Sequence, residues 1–412
     1  MAVFSPADAK DCREVVAWAV AEERPLELVA GGSKRGLGRP VQAGEVLDLS
    51  RLSGIGDYEP AELVLTAAAG TPLEEVEAAL AARRQMLAFE PADWRTLLGA
   101  GDRRQTIGGV VSCNLSGPRR IRAGAARDHL LGFHAVSGRG EAFKAGGKVV
   151  KNVTGYDLGK LVAGAYGTLV ALTEVTLKVL PRPEDSRSVV VWDLEPGAAI
   201  RALAEGLNSP YEVSGAAHLP AGPAARSSVR AVAGAGAAAT VLRLEGFAPS
   251  VEYRCRAVGD TLAAYGPVDE LAAPDSERLW HEIGDAALLA EPRDRAVWRL
   301  SLPPSAAPAV AEAILAAAEA ELLFDWGGGL VWAAVATRTP DGGAAAVRGA
   351  LASHGAGAVG GHATLVRAPK AIRAAVDVFE PLPGPLAALT AQVKENFDPR
   401  RVLNPGRMYA GV

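Results

Sequence analysis

The sequence Gly31-Gly32-Ser33-Lys34-Arg35-Gly36-Leu37-Gly38 lies between two short apolar runs, residues 26–30 and 46–49, which we predict to be buried strands. Successive glycines let backbone N–H groups turn toward one point, and such a nest suits a pyrophosphate. This first loop is not a Rossmann fingerprint, because that motif opens a helix and residues 46–49 begin too soon for a helical crossover. Alone, the loop is equally compatible with a glycine-rich connection.

Two further stretches rich in small residues follow the first loop. The second loop runs from Thr106-Ile107-Gly108-Gly109 through Cys113-Asn114 to Ser116-Gly117, and its small residues would let the backbone approach a ligand closely. The third combines Gly155-Tyr156-Asp157-Leu158 with Gly164-Ala165-Tyr166-Gly167-Thr168-Leu169. Each has a structural alternative, which is a glycine-containing helix packed on a strand for the second and a helix–turn–strand unit for the third.

Length and charge narrow the class of protein. A chain of 412 residues favours two or three domains, and 49% apolar with 22% charged residues is typical of a globular protein. A net charge of -4 argues against a nucleic-acid binder. The chain has no basic N-terminal region followed by an apolar core, so we expect a cytoplasmic protein.

Cysteine and histidine spacing predicts no metal site. The three cysteines, Cys12, Cys113 and Cys255, lie far apart, and the six histidines form no ligand motif. A Walker loop is also excluded, because Gly147-Lys148 is followed by Val149. Redox chemistry in this chain would therefore need an organic cofactor.

The segment Pro181-Arg182-Pro183-Glu184-Asp185 is predicted to end the first domain. Before it we predict helices over residues 5–23 and 71–84, and strands over residues 26–30, 46–49, 63–68, 130–136, 141–144 and 174–179. The second helix starts at Thr71-Pro72-Leu73-Glu74, which has the pattern of a capping box with proline at the first helical position.

After this break, strands and helices alternate. We predict strands over residues 188–194, 212–219, 240–246, 295–302, 330–336 and 362–367, helices over residues 197–207, 250–265, 308–320, 344–354 and 386–396, and a loop over residues 220–239. Some strand connections lack a helix, so the pattern favours an antiparallel sheet with helices on one face.

In this order, the three loops resemble the vanillyl-alcohol-oxidase/PCMH-type FAD-binding family, with a further match at Asn404-Pro405-Gly406. The resemblance implies an α+β protein with a two-lobed FAD-binding domain and an antiparallel cap. We expect the FAD-binding domain at residues 1–182, with two subdomains split near residues 55–62. The cap is expected at residues 186–384, and residues 385–412 are expected to return to the FAD-binding domain.

The resemblance also implies cofactor-binding positions. They are Gly31, Gly32, Ser33, Lys34, Arg35, Gly36, Leu37, Gly38, Thr106, Ile107, Gly108, Gly109, Cys113, Asn114, Ser116, Gly117, Gly164, Gly167, Thr168 and Asn404. Some members of the family attach FAD through a histidine in the first loop. Because this chain has Ser33 and Lys34 there, we expect non-covalent FAD.

Within the family, the chain resembles the FAD-binding E-type subunits of bacterial glycolate oxidases. The stretches that carry this likeness are Lys151-Asn152-Val153-Thr154-Gly155-Tyr156-Asp157 and Asp325-Trp326-Gly327-Gly328-Gly329. The likeness implies a complex with a larger flavin-binding subunit and an iron–sulfur subunit, in which glycolate is oxidised to glyoxylate. The chain departs from the family at Ala165-Tyr166, where Ser-Glu is common, and at Val170, where Gly is common.

Two candidate catalytic residues lie in the predicted cap. A 2-hydroxy acid needs a fork-shaped cation for its carboxylate and a base for its hydroxyl proton, and Arg299 and His362 are the candidates. A strand-edge ion pair and a structural histidine are their respective alternatives. Hydroxy-acid dehydrogenases of the family carry a GHxGDGNxH-like cluster, whereas this chain has only Gly360-Gly361-His362-Ala363-Thr364.

Three functions therefore stay open at the level of sequence. The first is a FAD-containing subunit that passes electrons to partners, the second a self-sufficient dehydrogenase of a 2-hydroxy acid, and the third a scaffold subunit with weak or no flavin. A basic cluster, Arg119, Arg120, Arg122 and Arg127, could steady phosphates, meet an acidic partner or form a solvated face.

Overall fold

The computed structural model describes residues 2–148, 155–354 and 361–412. Residues 151–154 of the predicted family segment and Gly360 lie outside the described residues. Among the described residues, no helix combines the length and apolar character needed to cross a bilayer.

The chain begins with a small parallel sheet. Its elements are β1 (Val3–Phe4), α1 (Ala9–Ala21), β2 (Leu26–Val29) and β3 (Glu45–Asp48), and the strand order is β1-β3-β2. The side chain of Asp8 caps α1 by accepting from the N–H groups of Lys10 and Asp11. The C-terminal tail extends this sheet, because Leu403 forms a parallel bridge with Leu26.

A five-stranded antiparallel sheet follows, in the order β4-β5-β9-β7-β8. The elements of this part are β4 (Ile55–Glu59), β5 (Val64–Ala68), α2 (Leu73–Ala81), β6 (Gln85–Met86), α3 (Arg95–Leu98), α4 (Ile107–Cys113), α5 (Arg120–Ala123), α6 (Ala126–His129), β7 (Leu130–Ser137), β8 (Ala142–Gly146), α7 (Leu158–Val162), β9 (Val170–Lys178) and β10 (Leu180–Pro181). We call residues 2–182 the N-terminal region.

The elements of the remainder are β11 (Asp185–Trp192), α8 (Pro196–Leu207), β12 (Gly215–Leu219), α9 (Ala221–Ala224), α10 (Arg230–Ala233), β13 (Ala239–Gly246), α11 (Ala248–Leu262), β14 (Val268–Leu271), α12 (Ala273–Gly284), β15 (Arg295–Ser301), α13 (Ala307–Ala317), β16 (Ala320–Asp325), β17 (Leu330–Ala336), α14 (Ala344–Ser353), β18 (His362–Arg367), α15 (Lys370–Ala375) and α16 (Gly384–Phe397). The eight described strands form one antiparallel sheet in the order β14-β11-β13-β12-β16-β17-β15-β18. We call residues 183–383, which contain this sheet, the cap.

The two faces of the cap sheet pack against different partners. Alternation along each strand sends residues such as Trp298 and Phe324 into a core with α8, α11, α13 and α14. Residues such as Val297 and Trp332 belong instead to a core shared with the N-terminal region. The α+β fold with an antiparallel cap is confirmed. Helix α12 is an addition on the second face, where Trp280 donates to Ser188 at 2.8 Å.

Three predicted local features were wrong. Thr71 does not cap α2, because its hydroxyl donates to the carbonyls of Ala68 and Gly54 and Pro72 is the N-cap residue. Residues 220–239 are not a plain loop, since they contain α9 and α10. The predicted helix over residues 308–320 ends at Ala317, and strand β16 starts at Ala320.

Candidate functional site

Three loops and the C-terminal tail converge on one cleft in the N-terminal region, with an empty volume of about 660 Å³. The first loop lies between β2 and β3, the second forms the start of α4, and the third precedes β9. The predicted cofactor-binding residues that line the cleft are Gly32, Ser33, Lys34, Arg35, Gly108, Gly109, Cys113, Gly167 and Asn404. Lys34 and Arg407 are 373 positions apart in sequence, and both line this cleft.

The first loop needs glycine for its path. Gly31 and Gly32 both have left-handed backbone, with φ of +64° and +78°. A Cβ at Gly31 would lie 2.3 Å from the carbonyl oxygen of Arg104. The first loop therefore packs directly against the backbone that leads into the second loop. Gly38 is similarly constrained, since its Cβ would lie 2.8 Å from the carbonyl oxygen of Arg407.

Lys34 is the main cation of the cleft. Its Nζ donates to Gln105 Oε1 at 2.9 Å and to Ser33 Oγ at 3.3 Å. Burial lowers the pKa of Lys34 to about 8, and Cys113 and Asp93 partly oppose this change. Arg407 adds a second buried cation, whose Nη2 donates to the Lys34 carbonyl at 2.9 Å. The cleft therefore has the charge that a diphosphate requires.

Gln105, which immediately precedes the second loop, contains a buried donor without a partner. Its Nε2 makes no hydrogen bond within the described residues, although its Oε1 accepts from Lys34. An unsatisfied buried amide is costly. The two cations and the glycine-lined walls of the cleft fit the diphosphate of FAD, and Gln105 holds the Lys34 ammonium beside them.

A smaller cavity of about 440 Å³ adjoins the cleft where the N-terminal region meets the cap. Its lining includes the predicted residues Leu37, Gly38, Cys113, Asn114, Ser116 and Arg299. Tyr166 lines both spaces, so the cleft and the cavity are neighbours. The glycine loops line one space, and Arg299 lines the other.

The remaining predicted positions line neither space and support the walls instead. They are Gly31, Gly36, Thr106, Ile107, Gly117, Gly164 and Thr168. Thr106, for example, caps α4 by accepting from the N–H of Gly109 at 3.3 Å. Thr168 donates to the carbonyl of Ala165 at 2.7 Å and holds the third turn.

Arg299 faces the cavity from β15, opposite Trp332 on β17 and Thr364 on β18. Its guanidinium carbon lies 4.9 Å from the ring centroid of Trp326 and 6.0 Å from that of Trp332. The predicted alternative of a strand-edge ion pair does not hold among the described residues, which place no carboxylate within 4.0 Å of it. Burial lowers the pKa of Arg299 to about 10.

His362 lies at the start of β18, opposite Ser301. The side chain is exposed and does not line the cavity, although it shares the sheet face that carries Arg299. Partial desolvation of the ring by neighbouring groups, followed by the charges of Arg299 and Arg120, lowers the pKa of His362. A catalytic role for His362 stays a prediction.

Sequence reasoning missed Tyr166, Ser112 and Arg407 in the cleft. The departure from the family at position 166 was a sequence signal for this residue. The structure places Tyr166 in left-handed backbone (φ +53°) between two glycine turns, a strained conformation that is typical of functional sites. Arg407 follows Asn404 by three positions, so the tail match was also its signal.

The two-lobed N-terminal region, the glycine-lined cleft and the antiparallel cap define an FAD-binding oxidoreductase fold. The family model described as "FAD binding domain" matches residues 1–146. The chain is 34% identical to glycolate oxidase subunit GlcE of Escherichia coli K12, over 96% of both chains. On this evidence the chain belongs to the PCMH-type FAD-binding family of FAD-linked oxidoreductases.

Other relatives match in part, and solved structures match the fold. D-2-hydroxyglutarate dehydrogenase of Xanthomonas citri pv. viticola is 34% identical over 46% of this chain and 39% of that protein. The structure of 4-ethylphenol oxidase from Gulosibacter chungangensis superposes with a TM-score of 0.73 at 15% identity, over 99% of this chain and 89% of that one. The structure of p-cresol methylhydroxylase superposes with a TM-score of 0.69 at 14% identity, over 98% of this chain and 88% of that one.

Proposed function

We propose that this chain is a FAD-binding subunit of a glycolate-oxidase-type dehydrogenase complex that oxidises a 2-hydroxy acid such as glycolate to glyoxylate. The observation that carries the proposal is the meeting of the glycine-lined cleft with a cavity that contains the unpaired Arg299. The printed name of the E. coli relative, a glycolate oxidase subunit, supports the substrate and the assembly.

In this proposal the chain holds FAD without a covalent bond. Lys34 and Arg407 would neutralise the diphosphate, and Gln105 would hold the Lys34 ammonium in place. Ser33 and Lys34 occupy the stretch of the first loop in which some members of the family use a histidine link. When bound, FAD supplies the two-electron acceptor for a hydride from C2 of the substrate.

The side chains at the cavity would position the substrate. Arg299 would bind the carboxylate through two parallel N–H···O bonds, which fixes the C2 carbon in one orientation. The hydroxyl proton must pass to a base as the hydride leaves C2. His362 is the proposed acceptor, because it lies on the sheet face that carries Arg299 and its pKa is lowered by desolvation and by the charge of Arg299. Tyr166 lines both spaces and would separate the bound substrate from solvent in the cleft.

The proposed partners are a larger flavin-binding subunit and an iron–sulfur subunit, which would carry electrons onward in the cytoplasm. GlcD of Bacillus subtilis, named a glycolate oxidase subunit, is 26% identical over half of this chain, which supports a complex of related flavin subunits. Residues 1–182, 186–384 and 385–412 remain our proposed division into FAD-binding domain, cap and C-terminal return.

The test compares the purified chain with its reconstituted complex. In this proposal the site of the chain becomes competent for hydride transfer only with its partner subunits. Flavin absorption of the chain alone, recorded anaerobically before and after glycolate or D-lactate, should therefore stay oxidised, whereas the complex should bleach. Arg299→Met in the complex should raise KM for glycolate about 100-fold, through loss of a charge-assisted pair worth about 2–3 kcal/mol. The exposed Arg338→Met should leave KM unchanged.

Other outcomes would select a different function. Bleaching of the chain alone would mean a self-sufficient dehydrogenase. A chain that takes up no flavin even after incubation with FAD would be a scaffold, and the proposal would be wrong.

A further inference from the structure

Tyr166 lies at the boundary between the glycine-lined cleft and the smaller cavity. Of the described residues, only Tyr166 and Cys113 line both spaces, and a thiol is a weak hydrogen-bond donor. A substrate whose carboxylate binds Arg299 in the cavity must direct its reacting carbon toward the cleft, where the proposed function places the flavin. The side chains at this boundary are therefore the ones that can contact the substrate hydroxyl.

The position of the Tyr166 side chain is fixed from several sides. The N–H of Tyr166 donates to the carbonyl of Ser112 at 2.8 Å, and its carbonyl accepts from Asn404 Nδ2 at 2.8 Å. The ring packs edge-on against Phe379 of the cap, with ring centroids 5.0 Å apart and an interplanar angle of 75°. Because backbone and ring are both held, the fold sets the position of the hydroxyl before a substrate binds.

The hydroxyl of Tyr166 is not engaged by the protein. It makes no hydrogen bond to the part of the chain that the structure describes, and burial raises the pKa of the phenol far above its ordinary value of 10. The charges of Arg299 and Arg407 partly oppose this change, so the phenol lies in the field of both cations. The phenol thus stays protonated at neutral pH, and an acceptor oxygen on a ligand would satisfy it.

The polar side chains that line the cavity alone are less suited to this contact. Trp94 and Ser116 are engaged by backbone groups at 3.3 and 2.9 Å, and Asn114 Oδ1 accepts from a backbone N–H at 3.0 Å. Thr364 lies opposite Arg299 in the pairing of β18 with β15, which places it beside the carboxylate. Tyr166 is therefore the best-placed donor for the hydroxyl oxygen.

We propose that the Tyr166 hydroxyl donates a hydrogen bond to the hydroxyl oxygen of the 2-hydroxy acid. This inference rests on the proposed function and deepens it, because it assigns the side chain that recognises the reacting hydroxyl. As the hydride leaves C2 for the flavin and the hydroxyl proton passes to a base, that oxygen becomes the carbonyl oxygen of the product. Tyr166 keeps its own proton throughout, and its hydrogen bond strengthens as negative charge develops on the oxygen.

The test measures binding without turnover. Anaerobic isothermal titration of the full-length chain, with any bound flavin reduced by dithionite and the reagent removed, compares glycolate with acetate, which lacks the hydroxyl. A reduced flavin accepts no hydride, so glycolate is not consumed. We expect the wild type to bind glycolate about tenfold tighter than acetate. In Tyr166→Phe the two Kd values should lie within about twofold of each other, with the Kd of acetate unchanged.

Kinetics of the reconstituted complex give a second measurement. Tyr166→Phe should raise KM for glycolate about tenfold and lower kcat about tenfold, because the bond is made in the ground state and strengthens in the transition state. The variant should keep the wild-type Kd of FAD and unfolding temperature, since ring and backbone contacts stay. A purely structural role would instead weaken FAD binding and lower the unfolding temperature, and would overturn the inference.

Two variants serve as matched controls. Tyr409→Phe removes a phenol whose ring centroid lies 5.9 Å from that of Phe379 but which lines neither space, so it should keep the tenfold preference. Thr364→Val removes a hydroxyl that lines the cavity alone. It should keep the preference even where both Kd values rise.

Three results would contradict the assignment of Tyr166. Equal Kd values for glycolate and acetate in the wild type would overturn it, as would a Tyr166→Phe variant that keeps the tenfold preference. Loss of the preference in Thr364→Val alone would assign the hydroxyl contact to Thr364 instead. Failure of the proposed function shows elsewhere, as absence of flavin or of glycolate-dependent bleaching in the complex, since the titrations require no turnover.

Discussion

The carboxamide of Asn404 holds the backbone of Tyr166 across 238 residues of sequence. Its Nδ2 donates to the Tyr166 carbonyl at 2.8 Å, and its Oδ1 accepts from the N–H of Leu28 at 2.8 Å. Strand β2 leads into the first loop, and Tyr166 belongs to the third. One side chain of the C-terminal tail therefore sets the distance between two walls of the FAD cleft.

Asn404→Ala should loosen that cleft. The substitution removes two hydrogen bonds and places alanine in left-handed backbone (φ +44°), so we expect a loss of roughly 2–4 kcal/mol in the free energy of unfolding. Because the walls move apart, the Kd of FAD should rise about tenfold. Urea denaturation and flavin fluorescence titration measure the two effects.

Two variants separate the hydrogen bonds from the backbone strain. Asn404→Gly loses the carboxamide and tolerates positive φ, so its FAD affinity should fall as in Asn404→Ala while its stability falls less. The exposed Asn396→Ala should change neither quantity. FAD affinity equal to the wild type in both position-404 variants would show that the tail plays no part in the cleft.

Lys34 should make FAD binding depend on pH. Its pKa is about 8 in the free protein, because burial disfavours the charged form. A bound diphosphate favours that form, so binding above pH 8 requires uptake of a proton. The affinity should be highest below pH 8 and should fall as pH rises, by up to about tenfold per pH unit. Titrations from pH 7 to pH 9.5 measure the slope.

Lys34→Met should bind FAD more weakly at pH 7 and lose most of the slope. Cys113 and Arg407 also face the cleft, but burial raises the pKa of Cys113, so its titration lies above that of Lys34. The exposed Lys10→Met should keep the wild-type profile. An unchanged slope in Lys34→Met would assign the pH dependence to another group.

Sequence alone predicted the elements whose pattern is local. Strands β17 and β18 have the bounds that alternation and flanking glycines predicted, residues 330–336 and 362–367. The family resemblance of the glycine loops named nine residues that line the cleft, together with seven that line neither the cleft nor the cavity. The sequence patterns did not separate two adjacent elements of similar composition. An alanine-rich run continues from the end of α13 to the start of β16, so the predicted helix extended to residue 320.

The return of the C-terminal tail was predicted from the match at Asn404-Pro405-Gly406, but the role of Arg407 was not. Arg407 enters the cleft because the tail pairs with β2, and the sequence match indicated the segment without showing which of its side chains face the cleft. The arginine cluster is a second example, because Arg119 and Arg122 pair with Glu245 and Glu212 of the cap, whereas Arg127 lies beside its sequence neighbour Asp128. Because ion pairing across a domain junction depends on tertiary structure, the sequence showed the arginine cluster but not which of its members have an acidic partner.

Lys394→Met should destabilise the chain by roughly 3–5 kcal/mol. Lys394 is fully buried, and its Nζ donates to Asp398 at 2.7 Å and to the carbonyls of Thr168 and Leu403 at 2.6 and 3.0 Å. Removal of the ammonium leaves the buried Asp398 carboxylate with only backbone N–H donors. Urea denaturation monitored by tryptophan fluorescence measures the change.

The same substitution in an exposed pair is the control. Lys10 and Glu14 have the same i,i+4 spacing on α1 at 3.9 Å, with 75% of the lysine side chain exposed. Lys10→Met should cost less than about 0.5 kcal/mol. A Lys394→Met variant as stable as Lys10→Met would mean that the C-terminal return does not depend on this ion pair.

Acid should destabilise the cap through His218. The ring is buried in β12, where Nδ1 lies 2.9 Å from Thr240 Oγ1, and burial lowers its pKa to about 4 from an ordinary value near 6.5. The folded protein therefore keeps this histidine neutral while the unfolded chain binds a proton, so stability is lost as pH falls from 6.5 to 4. Over that window His218 should contribute up to about 1.4 kcal/mol per pH unit to the slope of the free energy of unfolding against pH.

The variant His218→Gln should be less stable at pH 7 and should show a shallower slope of the free energy of unfolding, whereas the exposed His354→Gln should keep the wild-type slope. Parallel curves for the wild type and His218→Gln would assign the acid sensitivity to other groups, because only a histidine held neutral by the fold can produce the difference.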